Sequence, residues 1–201
     1  MGKIVVGTFL SVDGVYQAPG SPDEDRDGGF EYGGWTVPYT DSAVGERITE
    51  ATLRPDAMLL GRKTYEIFAG YWPYQSSDNP VAAKINSMPK FVVSRTPREL
   101  AWDTATLLSG DIPEAIAGLK ERYDLVGVTG SGDLVQTLLR HDLVDELQLL
   151  VFPVLIGSGK RLFGASTSPG ALTLVETTTT DSGVGIHTYQ RAGQIQLGTF
   201  E

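Results

Sequence analysis

Short apolar runs alternate along the chain with stretches of helical spacing, and their order predicts the architecture. Residues 3–10 (KIVVGTFL) are β-rich and mostly apolar, as expected of an internal strand. Residues 57–60 (AMLL) form a short apolar run without a period, the mark of a strand buried on both faces. Gly61 ends that run, and Tyr65, Ile67 and Phe68 follow at helical spacing. Further strands are predicted at 90–93, 106–108 and 125–129. Helices are predicted over 43–53, stopped by Pro55, over 81–88, over 111–122 with Pro113 near its first turn, and from 134 to 139. Residues 144–156 read as one long apolar strand bent or bulged at Pro153. Two β-like segments, 172–179 and 184–191, flank a turn at Asp181-Ser182-Gly183.

Strand–helix alternation followed by a strand-rich end implies an α/β fold. The central sheet is expected to be mainly parallel, with helices on both faces and antiparallel C-terminal strands. At 201 residues, one domain is expected. Residues 15–38 form a long Gly-, Pro- and Asp-rich segment (SPDEDRDGG at its centre) that carries Phe30, Tyr32 and Trp35. Such a segment is expected to fold over a cleft with its acidic middle exposed.

The formal charge of −9 argues against a nucleic-acid partner, which demands a basic surface. With no cysteine, disulfides, thiolate metal sites and cysteine nucleophiles are excluded. His141 and His187 stand far apart, so no metal site is expected. The start MGKIVVGTFLSVDG lacks a leader pattern and no apolar run approaches a membrane span. The expectation is a cytoplasmic protein without a membrane partner.

Three strand ends carry groups suited to a phosphorylated ligand: Gly61-Arg62-Lys63-Thr64, Ser94-Arg95-Thr96 and Gly130-Ser131-Gly132. In a parallel sheet all three lie at the carboxyl edge, where ligands of such sheets bind. A helix start offers unpaired N–H groups, and arginine adds forked, charge-assisted hydrogen bonds. The Gly130 turn is not the dinucleotide fingerprint, because Val135 stands where that motif needs Gly or Ala. Gly157-Ser158-Gly159-Lys160 is not a Walker loop and reads as a turn with an exposed lysine. Asp13 either orients substrate hydroxyls or nucleates its own turn. Asp41 either caps the helix that follows or acts on substrate.

Several stretches resemble the dihydrofolate-reductase-like superfamily, in particular the C-terminal reductase domain of bifunctional riboflavin-biosynthesis proteins. They are SVDG after the first strand, LLGRKTYE, KFVVSR, VTGSGDLVQTLL and VDELQLLVFPVLIGSGKRLF, in that order along the chain. The resemblance implies a stand-alone reductase domain of three layers that uses NADPH on a small heterocyclic or ribosylamino substrate. The model reaction is that of 5-amino-6-(5-phosphoribosylamino)uracil reductase. By position, Gly61, Arg62, Lys63, Thr64, Ser94 and Arg95 would hold the cofactor's phosphates and adenosine ribose. Thr129, Gly130, Ser131, Gly132, Asp133, Leu134 and Val135 would wrap the pyrophosphate and nicotinamide side, with Thr8 and Phe9 meeting the carboxamide through backbone groups. Asp13 and Asp41 are the candidate catalytic carboxylates. Tyr16, Trp35, Pro153 and Leu155 are the candidate substrate contacts. Two alternatives stand beside this reading: a true dihydrofolate reductase, and a nucleotide-binding or regulatory protein without turnover. The apolar run 147–156 lies where the related reductases pair subunits. It implies a homodimer that covers an edge strand, unless the tail strands cover it within one chain.

Overall fold

The computed structural model describes residues 1–96, 99–165 and 167–200. Its eight strands are β1 (Lys3–Ser11), β2 (Ala57–Gly61), β3 (Lys90–Val93), β4 (Ala105–Leu107), β5 (Leu125–Thr129), β6 (Glu146–Phe152), β7 (Leu172–Thr179) and β8 (Gly185–Arg191). They form one sheet in the order β4-β3-β2-β5-β1-β6-β8-β7. The six strands from β4 to β6 run parallel, while β8 is antiparallel to β6, and β7 to β8. The helices are α1 (Ser42–Leu53), α2 (Arg62–Ala69), α3 (Pro80–Ser87), α4 (Ile112–Arg122) and α5 (Gly132–Arg140).

Two faces of the sheet are buried, which makes three layers. Ile4, Val6 and Leu10 of β1 point to one side, into a core shared with Leu119 of α4 and Leu138 of α5. Leu150 and Phe152 of β6 point to the other, against Val44 of α1 and Trp35. Met58 and Leu60 of β2 meet Ile85 of α3 and Trp102 farther along that second face. The alternation in β1 and β6 thus serves two separate cores, and this is why both runs are almost wholly apolar. No helix among the described residues is long and apolar enough to cross a membrane.

Two expectations are corrected here. β6 ends at Phe152 rather than bending through Pro153, and Val154 N–H turns back onto the Phe152 carbonyl (2.8 Å). Proline has no N–H to extend the ladder. Nor is β6 an edge strand, because β1 and β8 pair with it on either side. The edge on this side of the sheet is β7, all eight of whose residues are exposed.

Lys90 opens β3 and is fully buried. Its ammonium donates to the Met88 carbonyl (2.8 Å) and Thr104 Oγ1 (2.7 Å), and it lies 4.1 Å from the centre of the Trp102 ring. No carboxylate pairs with it among the described residues, and burial pushes its pKa down to about 8 from 10.5. Between those two values the unfolded chain holds a proton that the folded chain has released, so folding stability rises with pH across that window. The melting temperature of the native protein, measured against Lys90→Met, should therefore gain a few degrees from pH 8 to pH 10. Parallel curves for the two proteins would show that the buried amine does not titrate there.

Candidate functional site

β2 and β5 are neighbours, and both run into helices at the same edge of the sheet. The Ser131 hydroxyl joins the two junctions. It accepts from Gly61 N–H (2.9 Å) and lies 2.9 Å from Thr64 Oγ1. The chain leaves β5 through two consecutive left-handed residues, Gly130 and Ser131, each with φ of 58°. A Cβ on Gly130 would sit 3.4 Å from Thr64 Oγ1, so the two helix starts are pressed together. α1, α3 and α4 are capped by Asp41, Asn79 and Asp111, but α2 and α5 carry no side-chain cap. Two sets of helix-start N–H groups, with their partial positive charge, are thereby left for a ligand.

These starts open onto a cleft of about 980 Å³. Its floor is the sheet face at Val5, Gly7, Phe9 and Leu150, and Arg47 and Ile48 of α1 form one wall. On β1 the pairing with β5 stops at Gly7, while the pairing with β6 continues to Ser11. The β5-facing backbone edge of Thr8 and Phe9 therefore has no ladder partner. The Thr8 hydroxyl is also buried without a hydrogen-bond partner. Unpaired backbone beside two uncapped helix starts fits an elongated phosphorylated ligand such as the nicotinamide nucleotide implied by the sequence.

The long loop closes one end of the cleft through charge. Lys160 donates to Asp25 Oδ2 (2.6 Å) and Asp27 Oδ2 (2.9 Å), and Lys63 donates to Asp27 Oδ1 (3.1 Å). The Gln17 amide donates to the backbone carbonyls of Asp25 and Asp27 and accepts from Lys160 N–H. Hydrogen bonds from Lys160 and Lys63 lower the Asp27 pKa to about 2. Burial works against the charge on Lys160, but its bonds to Asp25 and Asp27 outweigh that and raise its pKa. The acidic middle is exposed as expected at Asp23 and Asp27, and the exception is Asp25, 8% exposed. Lys160 is likewise no free turn lysine.

Of the sequence-predicted residues, Thr8, Phe9, Gly61, Arg62, Lys63, Thr64, Ser94, Arg95, Thr129, Gly130, Ser131, Gly132, Asp133 and Leu134 all line the cleft. Val135 does not; it is fully buried in the core between α5 and the sheet. Tyr16 lines the cleft and lies on Gly132, where a Cβ would fall 2.4 Å from its hydroxyl oxygen. Burial raises the Tyr16 pKa, so its hydroxyl stays protonated at neutral pH.

The remaining candidates are placed elsewhere. Asp13 accepts from Ser11 Oγ (2.7 Å), Ile156 N–H (3.1 Å), Gly157 N–H (2.8 Å) and Arg161 Nη2 (3.0 Å). These bonds, that from Ser11 foremost, hold its carboxyl well below the usual range and tie the 11–15 turn to the 156–161 turn. Asp41 caps α1 through Val44 N–H (2.9 Å) and also accepts from Ser182 N–H (3.0 Å), and the first of these bonds leads in lowering its pKa. Trp35 is buried edge-on against Phe152, its indole donating to the Gln17 carbonyl (2.8 Å). Pro153 and Leu155 are exposed. None of these five lines the cleft. Conversely, Gln17, Asp25, Asp27, Arg47 and Lys160 line it without having been singled out.

The chain is 32% identical over 135 residues to an uncharacterized protein, YyaP, of Bacillus subtilis, spanning 64% of this chain and 70% of that protein. The fold is similar to that of a protein ascribed to riboflavin biosynthesis in Shewanella sp. PV-4, with a TM-score of 0.67, 23% identity, and 94% and 99% of the two chains covered. It is also similar to dihydrofolate reductase from Enterococcus faecalis, solved with NADP(H), with a TM-score of 0.61, 13% identity, and 94% and 96% covered. The fold is therefore dihydrofolate-reductase-like. The RibD C-terminal domain family matches residues 2–186, and the chain belongs to that family.

Proposed function

We propose that the protein is an NADPH-dependent reductase of a small heterocyclic or ribosylamino compound, working as a homodimer in the cytoplasm. One observation carries the reading: the uncapped starts of α2 and α5 converge, through Ser131, on a cleft that also exposes unpaired backbone at Thr8 and Phe9. Family membership and the NADP(H)-bound dihydrofolate reductase of the same fold support it.

In this reading the α2 and α5 starts bind the cofactor's phosphates through backbone N–H groups. Arg62 and Arg95 add side-chain contacts at the ribose-phosphate end. Thr8 and Phe9 fix the carboxamide end. The bound nucleotide supplies the hydride. The chain supplies position and dryness: the 15–38 loop, bolted by Lys63 and Lys160, shuts water from one end. Tyr16 keeps a protonated hydroxyl on the cleft wall, where it can hydrogen-bond to an acceptor atom. Dihydrofolate reduction is less well supported, because Asp41 is spent as a helix cap outside the cleft.

Three expected outcomes follow from this reading. The native protein should prefer NADPH to NADH, and Arg62→Ala or Arg95→Ala should weaken that preference by about 1.5–3 kcal/mol, the worth of a hydrogen bond to a charged group. Equal affinities for the two nucleotides in a fluorescence titration would remove this assignment. Asp41→Asn should keep the cap, since Asn and Asp cap about equally well. NADPH oxidation by that variant should stay within about tenfold of native, against the 10²–10⁴-fold loss expected of a missing general acid.

Assembly is checked on β7, whose Leu172, Leu174 and Val175 are 42%, 48% and 54% exposed along an unpaired edge. An open apolar edge invites pairing with a second copy. Light scattering at micromolar concentration should give a dimer that Leu174→Asp dissociates, and a native monomer would overturn the assignment.

A further inference from the structure

The two lysines that hold the 15–38 loop do so by unlike means. Lys160, in the turn that faces the loop, reaches Asp25 Oδ2 at 2.6 Å and Asp27 Oδ2 at 2.9 Å. The Asp25 side chain is 9% exposed, and its other oxygen accepts from Asp27 N–H (3.1 Å). Gln17 is buried and grips the same piece of loop from within. Its amide donates to the Asp25 and Asp27 carbonyls and accepts from Lys160 N–H. This arm is fixed by backbone as well as by charge, so losing one ion pair would not undo it.

The Lys63 arm consists of side-chain contacts that cross from α2 to the loop. Lys63 Nζ donates to Asp27 Oδ1 (3.1 Å) and lies 3.6 Å from Asp25 Oδ1. The Lys63 and Asp27 side chains are 40% and 52% exposed, and an ion pair so open to water is weak. Lys63 is also the second residue of α2, whose start has no side-chain cap. A phosphate on the first-turn N–H groups would come within reach of its ammonium. That phosphate would meet Asp27, because Lys63 and Asp27 both line the cleft. Two anions on one ammonium repel each other, and the phosphate has the helix start to hold it as well as the lysine.

We infer that the Lys63–Asp27 contact is an autoinhibitory latch: Asp27 holds the ammonium that a phosphate at the α2 start would take. Binding there releases α2 from the loop, while Lys160, Asp25 and Gln17 keep the loop seated on its own turn. The inference rests on the reading of the α2 start as a phosphate site and adds the regulation of that site. Ligand affinity and latch closure are coupled with opposite sign. The coupling is reciprocal, so the factor by which Asp27 weakens the phosphate is the factor by which the phosphate weakens the latch.

The test is a double-mutant cycle on the full chain, with inorganic pyrophosphate titrated by calorimetry at constant ionic strength. Asp27→Asn should tighten pyrophosphate about two- to fivefold, the range expected of a half-exposed ion pair. In a Lys63→Gln background, which itself binds more weakly, the same change should do nothing. An equal gain in both backgrounds overturns the inference, because it would make Asp27 a distant repelling charge rather than a competitor for Lys63. Both side chains are half-exposed, so both variants should keep the native melting curve. The second readout is tryptic cleavage after Arg26, whose side chain is 67% exposed in the loop. Pyrophosphate should speed that cleavage about two- to fivefold in the native protein, by the same coupling. In Lys63→Gln, cleavage should be fast from the start and indifferent to pyrophosphate. Protection of Arg26 by pyrophosphate in the native protein overturns the latch. Titration of NADP+ beside pyrophosphate separates the latch from the reading it rests on. Pyrophosphate behaving as stated while NADP+ fails to bind upholds the latch and defeats the cofactor assignment. NADP+ binding that Asp27→Asn leaves unchanged defeats the latch alone, and failure of both ligands to bind overturns the latch together with its site.

Discussion

The Ser131 hydroxyl is the point on which the cleft depends. It draws Gly61, at the end of β2, against the start of α5, 70 residues later in the chain. To place it, the backbone holds a non-glycine residue in the left-handed region, a conformation worth about 1–2 kcal/mol against it. The bond gained there orients two helix starts toward one volume. Side-chain caps close α1, α3 and α4, and neither start at the cleft has one. Fold and binding capacity are the same fact at this edge: parallel strands deliver helix starts to one side, and the two central ones stay open.

Charge then divides the cleft into ends. At the loop end, two lysines and two aspartates lock together, with Gln17 holding the loop backbone between them. The partly buried Lys160–Asp25 contact is short, and its geometry is reinforced by the second aspartate. Such a cluster positions the loop without leaving net charge facing the ligand. At the α1 end Arg47 pairs with two solvent-exposed carboxylates, Glu50 and Glu176. The asymmetry is local, and the global charge of −9 gives no hint of it.

Periodicity made the elements legible because each strand run is buried by one or two cores and each helix start carries its own local signal. Pro80, Pro113 and Asp111 sit where caps and first turns want them. The cleft-lining positions at the ends of β2 and β5 were legible for the same reason, being local to strand–helix junctions. What was not legible is long-range pairing. Asp25 and Lys160 are 135 residues apart, and nothing in SPDEDRDGG or GSGK marks them as partners. Asp13 looked like substrate chemistry because it follows a strand at the cleft mouth, yet four donors from two turns consume it. The apolar β6 looked like an edge in need of cover because an apolar run says that a strand is buried, but not by what. Here the tail strand β8 buries it within one chain.

The fate of Asp41 shows how a helix start can redirect a site's chemistry. A carboxylate that accepts from Val44 N–H and Ser182 N–H serves α1 and the turn before β8 at once. Both bonds favour its ionised form, and its place at the cap turns it away from the cleft. The same helix then lines the cleft one turn and a half later with Arg47. A site walled by a carboxylate suits a substrate that must be protonated or that offers N–H donors. A site walled by guanidinium suits one that carries oxygen charge, or that gains it as a hydride arrives. A single helix that spends its acid on its own first turn and lines the cleft with Arg47 therefore presents guanidinium there rather than carboxylate, with the sheet order left intact.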